Sequence, residues 1–230
     1  MMSIRLHSCF ERVRKLKKPI SRVVIILIGV IAGVLISGVL YATTGFSLFG
    51  GIREKPTSTA DVDNAELTAL AYTVLGYIKD GDFRALSGVA HPEFGVVFSP
   101  CATITLSTNK CFQAEQIAAF GTDMTLYVWG KYYGSGEPIE LTVADYFAEF
   151  VLDQDYIKAP IVSVNYIVRS ANALENITDV FHNVQFVDFH IPGSVIDGVE
   201  DFEWRSLRLG FEEYDGSLWL AVILRSAWTV

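Results

Sequence analysis

From Val23 to Ala42 the chain passes through 20 positions without a charged side chain. A helix rises about 1.5 Å per residue, so this stretch spans roughly 30 Å, the thickness of a bilayer's hydrocarbon core. Beyond it the pattern changes. Apolar positions recur at helical spacing in some windows and alternate in others, as in a folded domain of half-buried helices and strands. The pattern divides the chain into a tail (1–22), a transmembrane helix (23–42), a linker (43–60) and a folded domain (61–230). The linker is rich in Gly, Thr and Ser and contains Pro56.

Within the domain, Asp63 and Glu66 form a capping-box pair ahead of the stripe Leu67, Leu70, Ala71, Val74 and Ile78. Lys79 and Gly81 mark the end of that helix. A second helix is expected over 83–90, before Pro92. Phe94, Val96 and Phe98 alternate as in a strand. A short helix follows over 113–120, then an aromatic-rich strand over 126–133 that ends in the turn 134–138. Thr142 and Asp145 cap a helix whose Phe147, Phe150 and Val151 face inward. Strands over 161–168, 184–191, 204–213 and 218–228 close the domain, the last apolar on both faces like a central strand. Helices followed by a strand-rich half predict an α+β fold, with helices on one face of a curved antiparallel sheet. This element order resembles the NTF2-like (cystatin-like) fold.

Charge sets the orientation. Residues 1–22 hold seven basic groups and one acid, Glu11, whereas the rest holds 11 basic and 25 acidic groups, a net of −14. Basic residues collect on the cytoplasmic side of a span, so the N-terminus is expected in the cytoplasm and the domain outside it. A cleaved signal peptide would have a shorter apolar region and a small-x-small cleavage site, which Leu40-Tyr41-Ala42 does not provide. No cysteine directly follows the span to accept a lipid. An acidic domain repels phosphates, which argues against nucleic acid as its partner. The basic tail suits anionic headgroups of the lipid bilayer. Gly29, Gly33 and Ser37 put small side chains on one helix face, where a homodimer's backbones could approach closely; glycine is also simply common in membrane helices.

Cys101 and Cys111 lie in the outer domain, ten positions apart. In an oxidising compartment a disulfide between them would contribute about 3 kcal/mol; two unpaired thiols are the alternative. Their spacing, with no histidine pair nearby, is not a zinc pattern, and no metal or cofactor is expected.

Alternation places Asp188 and His190 on one face of their strand, and Arg208 and Glu212 on one face of the next. If the two strands pair, the four side chains gather on the sheet. Such a group suits a general base or an anion clamp, and equally an ordinary cross-strand ion pair. Tyr127 and Trp129 share another strand face, where they would line a ligand pocket or fill the core. Glu149, Asp153 and Asp155 form an acidic group without the spacing of a calcium loop.

Three segments carry a family resemblance: Phe94-Gly95-Val96-Val97-Phe98-Ser99-Pro100, Val128-Trp129-Gly130-Lys131-Tyr132-Tyr133-Gly134-Ser135-Gly136-Glu137-Pro138-Ile139 and Trp204-Arg205-Ser206-Leu207-Arg208-Leu209-Gly210-Phe211-Glu212-Glu213-Tyr214. They resemble an uncharacterised family of bacterial extracytoplasmic domains, often lipoproteins or membrane-anchored. The resemblance spans roughly residue 67 to the C-terminus and implies a place in the cell envelope, with no activity attached. The expected function is non-enzymatic binding of a ligand or an envelope protein partner. A second expectation is an assembly subunit, since the layout resembles bitopic NTF2-like scaffolds of type IV secretion machines. A third is a hydrolase or isomerase using Asp188 and His190.

Overall fold

The computed structural model describes residues 59–196, 199–200 and 203–228. The basic tail, the span 23–42 with Gly29, Gly33 and Ser37, and the linker up to residue 58 lie outside the described residues. Among the described residues, no helix is long and apolar enough to cross a membrane.

Helix α1 (Thr59–Asp80) starts four residues before the Asp63–Glu66 pair expected to cap it. Nothing between Thr59 and Asp63 breaks a helix, and Pro56 lies ahead of it rather than inside it. Leu67, Ala71, Val74, Leu75 and Ile78 form its buried stripe. The helix ends at Gly81, whose φ of +66° a residue with a Cβ adopts only at a cost. There Asp82 N donates to Tyr77 O at 2.9 Å and Gly81 N to Ile78 O at 3.2 Å, which satisfies the last carbonyls. Asp82 then caps α2 (Phe83–Gly88) by accepting from Ala85 N at 2.9 Å.

The strands are β1 (Val96–Ser99), β2 (Lys110–Phe112), β3 (Tyr127–Lys131), β4 (Pro138–Leu141), β5 (Ile161–Val164), β6 (Gln185–Ile191), β7 (Val195–Ile196), β8 (Val199–Glu200), β9 (Arg205–Tyr214) and β10 (Ser217–Ala227). Six of them form one sheet in the order β2-β1-β10-β9-β6-β5, while β3–β4 and β7–β8 are separate pairs. The fold is α+β, but the sheet is mixed rather than antiparallel. Strand β1 runs parallel to β10, with Val97 opposite Val222 and Ser99 opposite Leu224. Alternation along a strand reveals its buried faces and not its partner, so the pairing of the first strand with the last was not readable.

Both faces of this sheet are covered. On one, Val187, Phe189, Leu207, Leu209, Phe211 and Ile223 pack with α1 and a group of aromatic side chains. On the other, Phe94, Val97, Phe186, Val222 and Leu224 pack under Ile104, Ile177 and Phe181 from the connecting segments. That double burial explains the unbroken apolar run of β10. The second face is tight at Gly210, where a Cβ would stand 2.6 Å from Val222 Cγ1 and 2.9 Å from Val184 Cγ2.

Candidate functional site

The β6–β9 register sets Asp188 opposite Arg208 and His190 opposite Ser206. Their sequence neighbours Val187, Phe189, Leu207 and Leu209 fill the helix-side core, so these polar side chains project to the loop-covered face. Arg208 Nε donates to Asp188 Oδ2 at 3.0 Å, and both side chains are fully buried. Its two terminal nitrogens grip the Glu175 carboxylate, Nη2 reaching Oε1 at 3.2 Å, and Nη2 also donates to the Arg169 carbonyl at 3.3 Å. Val168 N donates to Asp188 Oδ2 at 3.1 Å, and Ser226 Oγ to Glu175 Oε1 at 3.3 Å. The guanidinium thus spends its fork on two carboxylates of this same chain, which suits a fixed structural joint better than an anion clamp.

His190 shares a hydrogen bond of 2.8 Å between Nδ1 and Ser206 Oγ, and its ring lies 5.7 Å from that of Trp204. Asp188 Oδ1 and Trp204 Nε1 are buried with no hydrogen-bond partner among the described residues. Glu212 stands apart. It sits four positions along β9 from Arg208, buried, where desolvation raises its carboxyl above the usual range and a hydrogen bond from the Asn183 backbone offsets part of that rise. Alternation placed all four residues on one face, but it did not show how far apart along the strand they lie.

Trp129 belongs to the helix-side core and Tyr127 packs against it. Trp129 is fully buried, stacks on Tyr146 at 3.8 Å and donates Nε1 to Leu141 O at 3.0 Å. Tyr127 packs at the edge of the same core and donates to Asp123 Oδ2 at 2.8 Å. Strand β3 is the inner wall of a hairpin with β4, which the turn at 134–138 closes; its inward side chains complete the aromatic core.

The expected bridge between Cys101 and Cys111 is not formed. Cys101 is a free thiol, donating to Thr103 O at 3.3 Å, and burial pushes its pKa up. Cys111 pairs with Val97 across β1–β2. Cys101 lies past the end of β1 at Ser99, four positions further along the chain from Val97.

The acidic group is used internally. Asp153 Oδ2 accepts from Arg225 at 2.9 Å and its Oδ1 from Tyr156 at 2.7 Å; Glu149 Oε1 accepts from Tyr132 at 2.9 Å. Among the described residues, no group of three or more potential ligands could hold a metal ion.

A concave feature lies elsewhere, where the C-terminal half of α1 meets the segment after a single π-helical turn (Phe147–Val151). In that turn Leu152 N donates back five residues to Phe147 O at 2.7 Å. The extra residue rotates the chain so that Val151 is buried while Leu152 is 41% exposed. The resulting half-open cleft has a volume of about 290 Å³. Leu75, Val151 and Tyr156 are its buried members, Leu152 and Ile157 its sides, and Lys79 and Asp155 its charged rim. None of Asp188, His190, Arg208 or Glu212 lines it. Nothing in the sequence pattern singled it out, because its apolar residues read as ordinary core positions.

No family model matches the chain, and no curated protein does. Among solved structures, a Xanthomonas campestris protein described as a calcium/calmodulin dependent protein kinase II association domain is similar at 16% identity. The alignment covers 79% of this chain and 97% of that one, with a TM-score of 0.32. A score that low carries no argument about function.

Proposed function

We propose that this chain is a membrane-anchored, extracytoplasmic binding domain of the bacterial cell envelope, non-enzymatic, with an NTF2-like arrangement of helices over a sheet. The observation that carries the binding part is the cleft beside the π-turn, which is concave, mostly apolar and near the small end of ligand sites. The anchoring part rests on the charge-free span and the basic tail before it. Against catalysis stands the state of the titratable cluster. Asp188 is fully buried and His190 is 2% exposed, and Asp188 is committed to Arg208. The test is the thermal midpoint of the full chain in lipid nanodiscs against a panel of sugars, amino acids, peptides and amphiphiles. A ligand at a hundred times its Kd stabilises by about 2.7 kcal/mol. A rise with at least one class supports the reading, and no rise with any class overturns it.

A second reading, an assembly subunit, is favoured by one feature. Met124, Leu126 and Val128 expose 78%, 59% and 42% of their surface at alternate positions entering β3, an apolar row suited to another protein. Oligomers of the full chain are expected on that reading, and a strict monomer contradicts it.

A further inference from the structure

Resting on the binding-domain reading, we infer that the cleft beside the π-turn takes an amphiphile with a medium-length aliphatic chain and an anionic head. The interior selects the chain. Leu75, Val151, Leu152 and Ile157 present only aliphatic groups, and Tyr156 has its hydroxyl turned to Asp153 at 2.7 Å, which leaves its ring to the cleft. Gln154 is the one uncharged polar residue of the lining besides Tyr156, fewer than the several convergent donors and acceptors that sugars and peptides need.

The rim selects the head. Asp155 accepts from Lys79 at 3.0 Å through one oxygen and from Lys158 at 2.9 Å through the other. Lys79 and Asp155 line the mouth, and Lys158 stands just outside it on the other oxygen of Asp155, so two ammonium groups flank one carboxylate there. The lysine side chains are 47% and 80% exposed, so their pairing with Asp155 is weak and either can turn to a second anion at little cost. The π-turn adds the geometry, since its extra residue holds Val151 down in the floor and Leu152 up in the wall. An aliphatic chain laid along Leu152 and Ile157 brings a carboxylate or phosphate to the Lys79 side.

The test is photolabelling of the full chain in lipid nanodiscs with a diazirine-bearing medium-chain fatty acid, followed by peptide mapping. Adducts are expected within 75–79 or 151–157. Excess decanoate should suppress them several-fold, and decanol, which has the chain without the charge, should not. Lys79→Glu and Leu152→Glu change exposed side chains; each should cut labelling several-fold with little change in the thermal midpoint. Adducts confined to other segments, equal competition by decanol, or labelling untouched by both variants overturn the inference. If another ligand class raises the midpoint while decanoate fails to compete, this inference falls and the binding-domain reading stands. If no class raises it, that reading falls as well.

Discussion

Asp188 and Arg208 face each other directly across β6 and β9, joined by a hydrogen bond of 3.0 Å, and neither side chain reaches solvent. Two opposite charges have been taken out of water at a cost of several kcal/mol each, offset because each of the three guanidinium nitrogens meets an acceptor. Glu175 is the third member, and it arrives from a connecting segment rather than from the sheet. The cluster therefore ties the 165–183 segment to the sheet.

That arrangement predicts an asymmetric cost. Arg208→Met leaves two carboxylates without their cation and should lose about 3–5 kcal/mol in urea unfolding. Arg208→Lys should recover only part of this, since one ammonium cannot reach Asp188 and fork Glu175 together. Changing Asp188 and Arg208 together to apolar residues should cost less than the sum of the single changes.

His91 predicts an acid-side loss of stability. It is buried, stacked on Phe94 at 3.9 Å, and desolvation lowers its pKa from 6.5 to about 4. The unfolded chain takes up a proton near pH 6.5 and the folded one does not. Stability is therefore complete above pH 6.5 and falls as pH drops toward 4, by about 3 kcal/mol in all. His91→Phe should flatten that fall in unfolding curves between pH 7.5 and 4, with Phe94 still supplying the stack.

Glu212 works in the opposite direction. Burial raises its folded pKa, so its carboxyl favours the folded state below the unfolded pKa, and that contribution is lost as pH rises through the raised value. Glu212→Gln should be more stable than the parent at neutral pH, and the gain should vanish in acid. A gain that persists at pH 4 would show a packing effect instead.

Gly210 predicts a steric limit. Its missing Cβ lets Val222 and Val184 close over β9, so Gly210→Ala must push two buried side chains apart. A loss of about 1–3 kcal/mol is expected from chemical denaturation, with the unfolding slope unchanged.

The sequence made the strands of the second half and their faces legible, because β6, β9 and β10 keep their alternation and one apolar face of each fills the helix-side core. The Asp188–Arg208 contact followed from that alternation once the strands pair. Glu175 did not, since it lies between β5 and β6 where no period exists to place it. Glu212 shares the face of Arg208 but lies four residues along β9 from it, and a shared face does not measure distance along a strand. The parallel pairing of β1 with β10 and the disulfide both turned on register, which composition does not encode. The cleft depends on one extra residue in one turn, a local irregularity that a hydrophobic stripe such as Phe147, Phe150 and Val151 conceals.

The most direct measurement is the ligand-induced rise in thermal midpoint of the full chain in nanodiscs, taken beside the Leu152→Glu variant. The account predicts a rise in the parent with at least one ligand class and its loss in the variant, whose unliganded midpoint stays close to the parent's. Equal rises in both proteins, or none in either, would contradict binding at this cleft.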